Sequence, residues 1–255
     1  MLTDAELDRY ARHIVLPHVG GVGQARINAA RVLVIGAGGI GSAAIPALAG
    51  AGVGALRIVD DDDVSLSNLQ RQTLFTTSDI GRPKVMVATE RIAALNPHVR
   101  VEPVPARATA DSLPGLLADI DIVLDGSDNF ATRLAVSDAC TAAQIPLVSA
   151  AIAQFQGQVG TYCGWQADRP CYRCLVGDAH DPDDCDSCAE QGVMGAMVAM
   201  VGGFAAMEVL RHIVGFGEDA AGKLHVIDGL SPSWRTMRLP KDPGCRNCGS
   251  PATVC

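Results

Sequence analysis

The sequence contains no run rich in lysine or arginine, and its formal net charge is -8 at pH 7. Because proteins bind nucleic acids chiefly through cationic contacts to phosphates, this charge argues against a nucleic-acid partner. The opening residues, MLTDAELDRY, also lack the positive charge and apolar core of a signal peptide. We therefore expect a cytoplasmic protein that does not act on nucleic acid.

Long uncharged stretches are equally scarce, and the longest covers roughly residues 191–207. It is short for a membrane span and is followed by charged residues, so it predicts a buried helix, either in the core or at a dimer interface. No repeat, low-complexity segment or long Pro/Ser linker divides the chain. We expect no membrane contact and a single domain over residues 1–255.

What the chain does contain is a regular alternation of strand and helix patterns. Short runs rich in β-branched residues predict strands at 31–36, 55–60, 99–104, 121–126 and 146–152, with helices predicted at 40–51, 83–95 and 129–143. This alternation predicts a Rossmann-like α/β fold with a mostly parallel sheet. Later strand patterns, FQGQVGTYCG, KLHVIDG and SWRTMRL, predict an antiparallel C-terminal extension of that sheet. The acidic segment 176–190 predicts a mobile loop.

A glycine-rich turn follows the first predicted strand. VLVIGAGGIG supplies Gly36, Gly38 and Gly41 in the G-x-G-x-x-G pattern, and Asp60 ends the next strand. Such glycines let the backbone approach a phosphate at a helix N-terminus, and the carboxylate can hold ribose hydroxyls. The alternative is that the glycines only form a tight turn. The motif therefore predicts a nucleotide site without identifying the nucleotide.

Polar residues beyond this turn favour a triphosphate over a dinucleotide. Asn68, Gln70, Arg71 and Lys84 follow the second strand, and cations there can neutralise the charge that builds on transferred phosphoryl oxygens. Asp128, after the fourth strand, is a candidate Mg²⁺ ligand. The remaining aspartates of the run, residues 61–63, are expected to be solvated or capping residues. The rival interpretation is a nicotinamide-dependent oxidoreductase, which needs only the glycine turn and Asp60.

The chain has nine cysteines, and a reducing cytosol disfavours disulfides between them. Two C-x-x-C pairs have the spacing of a tetrahedral Zn²⁺ site: Cys171, Cys174, Cys245 and Cys248. A dithiol redox pair is the rival explanation for either pair alone. Four thiolates closing one site predict a structural zinc ion that ties the C-terminal tail to the sheet.

A further pair, Cys185 and Cys188, lies just before the uncharged helix. The positive end of a helix dipole favours a nucleophilic thiolate, and Cys188 is the better placed of the two. A second metal pair or two unreactive loop thiols are the alternatives. Cys140 and Cys163 have the pattern of core residues.

Taken in order, several segments resemble the bacterial ThiF/MoeB/HesA family, relatives of the ubiquitin-activating enzymes. They are RYARHIVLP, GAGGIGS, DDDDVSLSNLQRQTLFTTSDIGRPK, LNP, DGSDNFATR, CYRCL, EQGVMG, IDGLSPSWR and CRNC. The resemblance runs nearly end to end, and DDDDV with the DG-S--W pattern is most similar to ThiF, with MoeB next. It divides the chain into N-terminal helices (1–30), a nucleotide-binding half (31–152) and a carrier-binding half with the zinc knuckles (153–255).

This resemblance implies adenylation, by ATP and Mg²⁺, of the C-terminal glycine of a ubiquitin-like sulfur carrier similar to ThiS or MoaD. A separate persulfide donor would then supply sulfur for a thiocarboxylate, in thiamine or molybdopterin biosynthesis. By motif position the family's ATP contacts fall on Gly39, Asp60, Asn68, Arg71, Lys84, Asp128 and Asn129. Arg12 matches an arginine that the family extends across a homodimer, and Cys188 matches the cysteine of covalent sulfur chemistry. Cys185 leaves the identity of the reactive thiol open. A non-catalytic scaffold that binds nucleotide and a ubiquitin-like protein is the other alternative.

Overall fold

A computed structural model describes residues 2–177 and 192–249. Their elements, in chain order, are α1 (Asp4–Arg9), α2 (Ala11–Ile14), α3 (Gly20–Ala29), β1 (Arg31–Ile35), α4 (Gly39–Ala51), β2 (Ala55–Val59), α5 (Lys84–Leu95), β3 (Arg100–Val104), α6 (Leu113–Leu116), β4 (Ile122–Asp125), α7 (Phe130–Ala143), β5 (Leu147–Ala153), β6 (Gln156–Tyr162), α8 (Arg173–Val176), α9 (Gly195–Val214), β7 (Lys223–Asp228) and β8 (Ser233–Arg238). Most predicted elements are confirmed to within a residue or two. The predicted loop at 176–190 lies almost entirely outside the described residues.

The strands of the described chain form one sheet in the order β3-β2-β1-β4-β5-β6-β7-β8. Pairs from β3 to β5 are parallel, whereas β6, β7 and β8 add antiparallel strands at one side. The mostly parallel sheet with an antiparallel extension is therefore confirmed. The strand order reverses beside β1, where β2 lies on one side and β4 on the other, and ligands of open α/β sheets bind at such a point.

Helices cover both faces of the parallel part, as β1 illustrates. Val32 and Val34 belong to a core that includes α4, α5 and α9, while Leu33 and Ile35 belong to a second core on the opposite face, beside α6 and α7. All four side chains are at most 3% exposed. A strand buried on both faces must be apolar at its buried positions, which explains the unbroken VLVI run at residues 32–35.

Helix α9 is long and apolar enough, by length and composition, to cross a membrane, but half of its most apolar window is buried in the protein. It packs on α4 at very short range, since a Cβ atom on Gly202 would lie 2.6 Å from the carbonyl oxygen of Ile40. The helix begins at Gly195 and continues past the predicted end at residue 207. In this continuation the buried Glu208 pairs with Arg211 Nε at 2.9 Å.

Candidate active site

The site lies at the carboxyl ends of three neighbouring parallel strands. The register pairs Ile35 of β1 with Val59 of β2 and with Asp125 of β4, so these strands end side by side. The loops that follow, beginning at residues 36, 60 and 126, therefore meet at one edge of the sheet. They enclose a cavity of about 400 Å³, within the range of small-molecule sites.

Most of the predicted nucleotide residues lie on the wall of this cavity. Those on the wall are Gly36, Gly38, Gly39, Asp60, Asn68, Arg71, Lys84, Asp128 and Asn129. Gly41 and Gln70 do not line it, so the structure does not support the expectation that they contact a ligand there. Gly41 is needed inside the turn instead, because a Cβ atom on it would lie 2.1 Å from the carbonyl oxygen of Gly36.

The glycine turn gives the cavity a wall of backbone. Gly36 has φ +88°, a left-handed conformation that glycine adopts without strain. A Cβ atom on Gly38 would meet only Gln72 Nε2, at 3.8 Å, so this face of the turn is open to the cavity. Helix α4 begins at Gly39, and its first N–H groups have no partner within the helix. The turn therefore offers an anion both free donors and the positive end of a helix dipole.

Asp60 connects the glycine turn to the loop after β2. Its Oδ2 accepts a hydrogen bond from the Ala37 N–H at 2.7 Å, and its Oδ1 accepts one from the Asp62 N–H at 2.9 Å. Burial raises the pKa of Asp60, and the nearby Lys84 opposes that shift. Each carboxylate oxygen can accept a second bond, so the group can still bind a hydroxyl at the cavity wall.

Two cationic side chains lie on the same wall. Arg71 is half-buried and donates from Nη1 to the carbonyl oxygen of Ser67 at 3.0 Å, which leaves other donors of its guanidinium available. Lys84 is the first residue of α5, and its Nζ lies 2.7 Å from Asp62 Oδ2. Asp62 is therefore solvated, as expected of residues 61–63, but it is also the ion-pair partner of Lys84.

A third loop, after β4, carries Asp128 and Asn129. Asp128 is exposed at the cavity, whereas Asn129 caps α7 by accepting a hydrogen bond from the Thr132 N–H at 2.8 Å. The preceding Ser127 is held at both of its backbone groups. Its N–H donates to Asp125 Oδ1 at 2.9 Å, and its carbonyl oxygen accepts from Arg133 Nη2. This pair of opposite charges fixes the loop immediately before Asp128.

Sequence reasoning missed Arg133 and Gln72, both of which are buried and line the cavity. Arg133 also donates to Ser149 Oγ at 3.1 Å and to the carbonyl oxygen of Ala150 at 2.8 Å, so it joins the Ser127 loop to β5. Gln72 Oε1 has no hydrogen-bond partner among the described residues. The sequence feature that could have identified Gln72 is its position two residues after Gln70, on the buried side of the same turn.

Arg12 is not part of the cavity. Arg12 lies on α2, is exposed and does not line the cavity of its own chain. Cys185 and Cys188 lie outside the described residues. Cys140 and Cys163 are buried, as expected, and burial raises the pKa of the Cys163 thiol to about 12.

The four predicted zinc ligands are brought together, although Cys171 and Cys245 are 74 positions apart. Their Sγ–Sγ distances are 4.0 Å for Cys171 and Cys174, 3.6 Å for Cys171 and Cys245, and 3.4 Å for Cys174 and Cys248. A tetrahedral Zn²⁺ with Zn–S bonds of about 2.3 Å would separate its sulfurs by about 3.8 Å. The four residues therefore fit a zinc ion.

Electrostatics at this cluster also favour a bound cation. Burial raises the pKa of the Cys171 thiol to about 11, so a cluster of thiolates needs a positive charge to exist at neutral pH. A bidentate ion pair between Arg173 and Asp138, at 2.7 Å, fixes the first knuckle to α7. The site is therefore closed and anchored, which is typical of structural zinc.

Comparison with known proteins agrees with this geometry. The model of the ThiF family matches residues 10–247. The sulfur carrier protein adenylyltransferase of Thermus thermophilus is 45% identical over 256 residues, which cover 98% of this chain and 94% of that protein. The molybdopterin-synthase adenylyltransferase of Escherichia coli is 41% identical over 248 residues, which cover 97% of this chain and 98% of that protein.

A solved structure shares the fold at lower identity. The crystal structure of E. coli MccB with ATP has a TM-score of 0.82 and 21% sequence identity, and the match covers 97% of this chain and 75% of that one. At this identity the likeness concerns the fold alone. The family match and the two close relatives go further and confirm what the sequence motifs predicted: this chain belongs to the ThiF family.

Proposed function

We propose that this chain is an adenylyltransferase that uses ATP to activate the C-terminal glycine of a ubiquitin-like sulfur-carrier protein. The observation that carries the proposal is the cavity wall, where Arg71, Lys84 and Asp128 line the same cavity as the open glycine turn. A dehydrogenase needs only the pyrophosphate turn and a ribose acceptor, whereas two cations at this position suit a triphosphate. The names of the close relatives support the same reaction.

In this proposal the polyphosphate of ATP lies along the N-terminus of α4 and the two cations. Asp60 binds the ribose hydroxyls, and Asn68 and Asn129 supply amide groups near the phosphates. The carrier carboxylate attacks the α-phosphorus, the bond to the bridging oxygen breaks, and pyrophosphate leaves. Arg71 and Lys84 stabilise the negative charge on the leaving group. Asp128 is a hard oxygen ligand at the cavity mouth, and Mg²⁺ held there would neutralise phosphate oxygens.

Two features of the proposal involve other chains. The family resemblance implies that Arg12 reaches the site of a second copy in a homodimer, and its exposed position on α2, outside its own cavity, is compatible with that role. Sulfur transfer to the activated glycine requires a persulfide donor and releases AMP, and Cys188 is the residue proposed for covalent sulfur chemistry with the carrier. Replacing Cys188 and Cys185 by alanine one at a time tests that assignment. Loss of thiocarboxylate formation with Cys188→Ala alone, at normal adenylation, is the expected result.

The cysteine cluster is proposed to hold one structural Zn²⁺ at Cys171, Cys174, Cys245 and Cys248. With four protein ligands the ion has no open position, so it contributes to the fold of the carrier-binding half and not to the reaction.

ATP–pyrophosphate exchange is the test of the proposed function. We expect exchange only when a carrier with a free C-terminal Gly-Gly is present, and we would measure it with a ThiS-like and a MoaD-like carrier in parallel. Carrier-dependent exchange separates an enzyme from a scaffold, which would bind both partners without turnover. Absence of exchange with both carriers, together with tight NAD(H) binding, would contradict the proposal.

A further inference from the structure

The ion pair between Asp62 and Lys84 joins two very different environments. The Lys84 side chain is 4% exposed, the Asp62 side chain is 68% exposed, and Nζ lies 2.7 Å from Oδ2. Lys84 is also the first residue of α5, where the helix dipole is positive and disfavours a cation. A buried ammonium in such a place needs an anion at all times. Before a nucleotide binds, Asp62 supplies it.

The backbone around Asp62 is fixed, whereas its side chain can move. Its N–H donates to Asp60 Oδ1 at 2.9 Å, and its carbonyl oxygen accepts from the Lys84 N–H at 3.0 Å. The carboxylate itself has one protein contact among the described residues, the bond from Lys84. Rotation of Asp62 into solvent would therefore break one interaction and leave the loop in place.

Neighbouring carboxylates contact other groups, and among the described residues only Asp62 forms an ion pair with Lys84 Nζ. Both oxygens of Asp60 accept backbone N–H bonds, and the Asp61 carboxylate lies 3.7 Å from Arg107 Nε at the rim of the cavity. Asp63 is exposed and does not line the cavity. Carboxylate oxygens of Asp60, Asp61 and Asp62 lie within 4.8 Å of one another, but each of these residues has a different partner.

We propose that Asp62 is the resting counterion of Lys84 and that the polyphosphate of ATP displaces it. This inference rests on the proposed function, because it places phosphate oxygens at Lys84 Nζ. The exchange replaces one anion by another, so the buried ammonium stays compensated in both states. Asp62 consequently stabilises the nucleotide-free protein and competes with ATP.

Asp62→Asn tests this competition, since the amide keeps the shape and removes the charge. Calorimetric titration with MgATP should show roughly threefold to fivefold tighter binding, the range expected when a partly exposed ion pair need not be broken. Titration with AMP, which carries no β- or γ-phosphate, should be unchanged. Without nucleotide the melting temperature should fall by roughly 3 °C. Asp63→Asn is the matched control and should change none of these quantities.

If Asp62 has only a structural role, Asp62→Asn should lower the stability but should not tighten ATP binding. Equal or weaker binding of MgATP by this variant would therefore overturn the inference. Asp62→Glu retains the charge and should restore the stability of the nucleotide-free protein. If the asparagine variant does not fold, a crystal structure of the wild-type protein with MgATP decides the question. There the Asp62 carboxylate should lie beyond hydrogen-bond distance of Lys84 Nζ, and an unbroken pair would contradict us. Wild-type protein that binds no ATP would instead refute the proposed function.

Discussion

The nucleotide cavity and the cysteine cluster are assembled in different ways. The cavity forms where β1, β2 and β4 end side by side, so the backbone hydrogen bonds of the sheet already bring its loops together. The cysteine cluster joins two loops, 74 positions apart, that lie beyond the hydrogen-bonded strands. The first site is thus built by the sheet. The second requires its own ligand to hold the tail, and the two should respond differently to the loss of one residue.

The largest effect is expected at the cavity, where a change should impair the reaction and leave the fold intact. Lys84→Ala should reduce the rate of carrier-dependent adenylation by roughly 100-fold or more, because one charge-stabilising donor is lost. Single-turnover kinetics would measure this adenylation rate. Arg82→Ala, at an exposed arginine two residues earlier, is the control and should retain the wild-type rate. Equal loss in both variants would mean that the loop, and not the ammonium, matters.

Breaking the cysteine cluster should instead destabilise the fold of the C-terminal tail. Removal of metal with a chelator, or Cys245→Ser, should lower the melting temperature by several degrees and increase amide exchange in residues 239–249. The exchange rates of β1 and β4 should be unchanged, as mass spectrometry would show. Asn247→Ala lies inside the same knuckle but keeps all four thiols, so it should retain one zinc per chain. A metal-free protein with an unaltered tail would contradict a structural zinc ion.

Arg133 is expected to affect the cavity indirectly, because it binds backbone carbonyl groups of the cavity loop and of β5. Arg133→Lys cannot reproduce its bonds to Ser127, Ser149 and Ala150, so the loop carrying Asp128 should shift. We expect a fall in kcat of roughly tenfold, since small displacements of positioning groups are costly, with the Kd for ATP little changed. Arg169→Lys, far from the cavity, should be neutral. A rise in Kd at constant kcat would identify Arg133 as a binding residue.

The smallest effect concerns the segment between Arg71 and Lys84. Hydrogen bonds from Thr76 lower the pKa of Asp79 to about 2, assisted by Arg91. Its ordinary pKa is about 3.9, so the stability that it contributes is present above about pH 4 and is lost as the pH falls towards about 2. Urea unfolding of the wild type and Asp79→Asn should differ at about pH 6 and converge on acidification. A difference that does not depend on pH would exclude this electrostatic origin.

How far the sequence could predict each region follows from the distance over which its interactions act. The strand β1, the glycine turn and the start of α7 depend on neighbours within a few residues, and all were predicted. The pairing of the two C-x-x-C knuckles was also predictable, because zinc chemistry demands four ligands.

Other contacts depend on the paths of loops. Asp62 meets Lys84 across 22 positions, through a loop whose course no local pattern specifies. The choice between Gln70 and Gln72 as the cavity residue depends on which side of one turn is buried. Arg133 was recognisable only as a helical residue, because its role arises from the carbonyl groups that the folded loop and β5 present to it.

Label transfer tests the central claim most directly. The wild-type protein would be incubated with a carrier and with ATP labelled either at the α-phosphorus or at the γ-phosphorus. If the carboxylate attacks the α-phosphorus, α-label appears on the carrier, γ-label leaves with pyrophosphate, and a carrier lacking its last glycine acquires neither. Transfer of γ-label to the carrier, or no transfer of α-label at all, would contradict adenylation by this site.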